Sequence, residues 1–138
     1  MRKCDLVSIQ TALILKKIGY REKTTAYKYI RNSNIHRGLE INWNSVSMYL
    51  SMPTQDEVID WLRRKYNVIV AHRILPFVDP TTKQIVYQYA VKYCNTRDGW
   101  NGRVYIGETA CTKNIYSAKK TAINMALRWI IKNLSVSR

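Results

Sequence analysis

Ala118-Lys119-Lys120-Thr121-Ala122 opens the last apolar run of the chain. Beyond it Ala122, Met125, Ala126, Trp129 and Ile130 recur at helical spacing, which predicts a final helix capped near Ser117 and ending about Leu134. Lys119 and Lys120 then fall in its first turn, where the helix macrodipole disfavours each cation by roughly 0.3–1 kcal/mol. No Asp or Glu follows Glu108, so no carboxylate nearby in sequence offsets them. A phosphate held by both lysines and the free N–H groups of the helix start would turn that cost into a gain. The plainer alternative is two solvated lysines on an ordinary surface helix.

Upstream, three extended stretches are separated by turn residues. Val68–Phe77 leads to Asp79-Pro80-Thr81-Thr82, Ile85–Cys94 to the loop Asp98-Gly99-Trp100-Asn101-Gly102, and Arg103–Cys111 to the final helix. Short links demand antiparallel neighbours. Before them, Pro53-Thr54-Gln55-Asp56-Glu57 is a strong helix start. Thr54 and Glu57 form a capping box, and Val58, Trp61 and Leu62 form a buried stripe. Arg63, Arg64 and Lys65 close that helix, with Asn67 as its C-cap. The order is helix, three strands, helix, and the expected fold is a two-layer α+β domain over 51–138. It pairs an antiparallel three-stranded or extended sheet with helices packed on one face.

This stretch resembles the double-stranded RNA-binding domain. That family opens its second helix with Ser-Lys-Lys-x-Ala-Lys, and the corresponding slots here are Ala118, Lys119, Lys120, Thr121, Ala122 and Ile123. Its late glycine in the third strand is matched by Gly107. The family's third lysine is Ile123 here, and Asp79-Pro80-Thr81 replaces its Gly-Pro-x-His loop. The resemblance implies lysines clamping phosphates across the RNA major groove, with the first helix and the Asp79–Lys83 loop touching flanking minor grooves. Glu57 is the nearest match to the family's first-helix glutamate. A second resemblance joins residues 12–20, Pro53-Thr54-Gln55, Trp61-Leu62-Arg63 and Tyr116-Ser117 to a family of small uncharacterised proteins of phages and mobile elements. It implies a setting and no mechanism. Those relatives are usually acidic, and this chain is not.

Residues 1–50 are expected to supply an N-terminal helix plus one or two strands packed onto the main domain. Ser8 caps a helix to about Ile18, stopped by Gly19. A short strand is possible around Tyr27, Tyr29 and Ile30, and Asn32-Ser33-Asn34 reads as a turn. Leu39, Ile41 and Trp43 alternate with polar residues, then Val46, Met48 and Leu50 do so one register on. That is one bent strand, or two joined at Asn44-Ser45.

The formal charge of +14 is the most unusual feature of composition, and it predicts a polyanionic partner. Nine Lys and Arg face three acids in residues 1–50, and fourteen face six in 51–138, so no single basic tail carries it. Cys4, Cys94 and Cys111 lack C-x-x-C spacing and His36 and His72 lie far apart, so no metal motif forms and free thiols are expected. No leader-like apolar run or membrane span stands out, and a cytoplasmic protein is expected.

Neither histidine, nor any Ser or Cys, has the spacing of a nucleophile with its base. Asp56, Glu57 and Asp60 are explained by the helix start they occupy. The expectation is therefore a non-enzymatic module without cofactor. It binds nucleic acid, with structured or double-stranded RNA ahead of DNA, through Lys113, Lys119, Lys120, Lys83, Arg63, Arg64 and Trp100. A-form RNA is recognised by shape, phosphates and 2′-hydroxyls, which suits such a set. Trp100 either contacts the ligand or folds back on the sheet. The stripe Tyr87, Tyr89, Val91 and Tyr93 either stacks single-stranded bases or faces the core. The alternative class is a protein-interaction factor of a mobile element that docks on an acidic partner.

Overall fold

The computed structural model describes residues 5–94 and 102–134. It divides into two compact units, residues 5–54 and Gln55–Leu134. Both are α+β with antiparallel sheets.

In the first unit α1 spans Ile9–Lys17, and the Ser8 hydroxyl accepts the Thr11 N–H at 3.2 Å. Strands β1 (Thr24–Tyr29), β2 (Ile35–Ile41) and β3 (Tyr49–Ser51) form a sheet in the order β2-β1-β3. Alternation along β1 buries Thr24, Ala26 and Lys28 and leaves Thr25, Tyr27 and Tyr29 half-buried. Buried Lys28 is tolerated because its Nζ donates to the carbonyls of Tyr29 and Ile30 at 2.9 and 3.1 Å. The alternating segment from Leu39 to Leu50 resolves as two strands on opposite edges of β1, with a 3-10 turn at Trp43–Ser45 between them. Asn44 holds that turn. Its Oδ1 accepts the Ser51 N–H at 2.9 Å, and its amide nitrogen donates to the Tyr20 carbonyl at 2.9 Å.

In the second unit α2 spans Gln55–Tyr66, burying Val58, Trp61 and Leu62. Asn67 ends it in the left-handed region (φ 57) and donates its N–H to the Arg63 carbonyl. The three long strands expected next are shorter. The sheet β4 (Val68–His72), β7 (Tyr89–Cys94), β8 (Arg103–Glu108) has the order β4-β7-β8. Phe77–Val78 (β5) and Ile85–Val86 (β6) form a separate two-stranded ribbon. Pro76 has no N–H to donate just where the β4 ladder would have to continue, and the last bond on that side is Arg73 N–H to the Gln88 carbonyl at 2.8 Å. Asp79 closes the ribbon's turn, accepting the Thr81 N–H on its carboxylate and the Lys83 N–H on its carbonyl.

Helix α3 (Ile115–Asn133) buries Ala118, Ala122, Ile123, Ala126, Leu127 and Ile130. It packs on β4, β7 and β8 and against α2, so both helices lie on one face of the sheet. Three alanines in that stripe let the helix backbone approach closely. Gly107 belongs to the same contact: a Cβ built there would lie 2.7 Å from Met125 Sδ.

Candidate nucleic-acid interface

The start of α3 differs from expectation in two ways that bear on anion binding. Asn114, not Ser117, is the N-cap, and its Oδ1 accepts the N–H groups of Tyr116 and Ser117 at 3.0 and 3.2 Å. Asn caps as well as Ser, and it stands three residues earlier. Lys119 and Lys120 therefore sit in the second turn, where the macrodipole has faded, and two of the N–H groups expected to face a phosphate are already bonded. Second, a carboxylate does offset Lys119. Asp56 Oδ1, from the first turn of α2, accepts its Nζ at 2.7 Å. No sequence window around Lys119 contains that partner, which lies 63 residues upstream.

The corner is built from the N-terminal ends of both helices. Gln55 Nε2 donates to the Tyr116 carbonyl at 2.9 Å, tying α2 to the first turn of α3 beside the ion pair. The Lys119 side chain is 15% exposed and that of Asp56 77%. The lysine stem is thus covered and its ammonium reaches the surface at the carboxylate. Lys113 and Lys120 are exposed. Ile123, in the slot of the family's third lysine, is 1% exposed and belongs to the core.

The other expected contacts are distributed. Arg63 and Arg64 are exposed in the last turn of α2 and both bond Asp60 at 2.8 Å, which holds its carboxyl below the usual range, the Arg63 hydrogen bond contributing most. They stand roughly 10 Å along the helix from Asp56 at 1.5 Å per residue. Lys83 is exposed in the β5–β6 turn at φ 60. Trp100 lies outside the described residues. Unit Gln55–Leu134 holds thirteen Lys and Arg against six Asp and Glu, a formal +7.

The tyrosine stripe turns toward the helices. Tyr89 and Val91 are buried, and Tyr93 packs on Trp129 of α3 with ring centroids 4.8 Å apart. Burial pushes the Tyr89 hydroxyl up to about 12. The chemistry missed at the level of sequence is on the opposite face of the same strands. There Ala71, Ala90, Arg73, Lys92, Arg103 and Tyr105 help line an open hollow of about 560 Å³. The signal was present in part, as polar residues at Arg73, Lys92, Arg103 and Tyr105, but only register shows that they share one surface. The first unit carries a further aromatic group. Tyr27 stacks on Trp43 at 3.8 Å, and Tyr49 approaches both at 5.6 Å.

Among the described residues no helix is long and apolar enough to cross a membrane. Set against models of protein families, curated proteins and solved structures, the chain matches none of them.

Proposed function

We propose that Gln55–Leu134 is a nucleic-acid-binding module whose ligand is structured or double-stranded RNA. In this reading Lys113, Lys119 and Lys120 meet phosphates at the corner where α2 and α3 begin. The observation that carries it is that corner: Lys113 and Lys120 exposed beside the tethered Lys119, in a unit with both helices on one face of an antiparallel sheet and a chain of formal charge +14. Because Asn114 occupies two of the helix-start N–H groups, the contacts come chiefly from ammonium groups, which suits shape-based recognition of a backbone. Arg63, Arg64 and Lys83 extend the positive field on the flanks.

Four to six such contacts give a slope of roughly −3 to −5 in log K against log salt. The test is a gel-shift or anisotropy titration of duplex RNA, duplex DNA and single strands at two salt levels, with the intact chain and with Lys119→Glu plus Lys120→Glu. The double variant should lose duplex RNA binding and keep its circular dichroism spectrum. Unchanged affinity removes the site. Binding to no nucleic acid below about 10 µM at moderate salt favours an acidic protein partner, since even non-specific association often reaches 10⁻⁴–10⁻⁶ M.

A further inference from the structure

The helix-free face of the β4-β7-β8 sheet has a composition that structural burial does not explain. Register places Ala71, Ala90 and Glu108 in one cross-strand row, and Ile69, Lys92 and Tyr105 in the next. Cys94 and Arg103 form the third. Arg73 follows β4 at the other end. From the Arg73 row to the Arg103 row the face spans three two-residue steps, about 20 Å at ~3.4 Å per residue. Its centre is low and apolar, because exposed Ala71 lies beside Ala90, which is buried, on the adjacent strand. Its margins are cationic. Among the described residues of this face the single acid, Glu108, is already engaged: it accepts the Tyr105 hydroxyl at 2.6 Å and forms an ion pair with Arg73. That chain of bonds fixes the Tyr105 ring, which is 54% exposed, and Lys92 and Arg103 are exposed cations on the same face.

We infer that this face is a second binding surface, taking a single-stranded nucleic-acid segment, with bases laid over exposed Ala71 and against Tyr105 and phosphates on Lys92 and Arg103. A small apolar floor gains from a flat ring set on it, and base–aromatic stacking is tolerant of sequence. A duplex offers no free base face to such a floor. A length of about 20 Å exceeds a mononucleotide and fits several nucleotides of a strand at ~3.4 Å each. The surface is distinct from the corner at the start of α3, and it does not depend on duplex binding there.

The experiment uses the full chain and a fluorescein-labelled 12-nucleotide oligouridine, read by anisotropy at several salt concentrations. Lys92→Glu plus Arg103→Glu should weaken binding at least tenfold and flatten the salt slope by about 1.4, the loss of two contacts on a single strand. Arg128→Glu plus Lys132→Glu, an equal charge change on exposed positions of α3, should cost less than threefold. Tyr105→Ala should weaken binding without changing the slope. Equal losses in the two charge-reversal variants, or no binding of the strand at all, overturn the inference. Duplex RNA affinity that falls with Lys119→Glu plus Lys120→Glu but not with the sheet variant keeps the two surfaces separate. Should the sheet variant fail to fold, Cys94 decides, since it lines the same hollow. In a Cys4→Ser, Cys111→Ser protein, saturating oligouridine should slow its maleimide alkylation at least fivefold, and an unchanged rate overturns the inference.

Discussion

Asp56→Asn is the most informative single change at the helix corner. The carboxylate it removes bonds the Lys119 ammonium at 2.7 Å and competes with any phosphate for it. Asp56 is largely exposed, so the pair contributes only ~0.2–1 kcal/mol, and its place in the first turn of α2 contributes about 0.3–1 kcal/mol more. The expected loss of stability is therefore about 0.5–2 kcal/mol, a fall in melting temperature of roughly 2–15 °C for a unit of this size. Affinity for duplex RNA should move the other way. A Lys119 no longer shared with Asp56 makes its phosphate contact in full, steepening the salt slope by up to about 0.9, so the variant gains most at low salt. Anisotropy with a duplex of about 20 base pairs between 50 and 200 mM salt measures both quantities. Lys119→Gln closes a double-mutant cycle, in which the gain from Asp56→Asn should vanish when Lys119 is absent. A gain that persists without Lys119 reflects the general field only. An unchanged or flatter slope would mean that Asp56 clamps Lys119 for structural reasons, and the reasoning would be refuted.

Four other outcomes are expected. Asn114→Ala removes the acceptor of two helix-start N–H groups and should cost about 1 kcal/mol by thermal or urea unfolding, with α3 fraying first in hydrogen exchange. Ile123→Lys, which would restore the family's third lysine, buries a charge at a 1% exposed site and should destabilise by several kcal/mol, visible as lost helical signal at 25 °C. Gly107→Val drives a side chain into Met125 and should cost about 1–3 kcal/mol, with Met125→Ala recovering part of it. The Tyr105 hydrogen bond, followed by Arg73, holds the Glu108 carboxyl below its usual range. With the folded value depressed, its stabilisation is present above the ordinary glutamate value of about 4.3 and is lost as pH falls through the folded one. Glu108→Gln should accordingly flatten the acid limb of melting temperature against pH below about 4.3, while an unaltered limb would exclude that coupling.

Local chemistry carried much of the fold. The α2 stripe Val58, Trp61 and Leu62, the stop at Asn67 and the alanine face of α3 are legible because each depends on neighbours within a turn or two. Strand lengths were less so. Apolar alternation continues through Arg73–Leu75 and Val86–Gln88, but a strand exists only where a partner is in register, and Pro76 and the ribbon turn at Asp79–Gln84 break that pairing. Leu39, in the alternating run on β2, is 76% exposed, because alternation marks one face of a strand without showing whether anything covers it.

By itself the sequence determined the charge, the helix positions, the α+β class and the lysines at 119 and 120, since those follow from residue type and short-range periodicity. Only the tertiary structure decided what the lysines meet. Asp56 reaches Lys119 because two helix starts are packed together, and Arg73, Lys92, Arg103 and Tyr105 share a surface because of cross-strand register. Both are long-range juxtapositions. Ion pairing and phosphate binding depend on separations of a few ångströms, and a linear order of residues does not specify them.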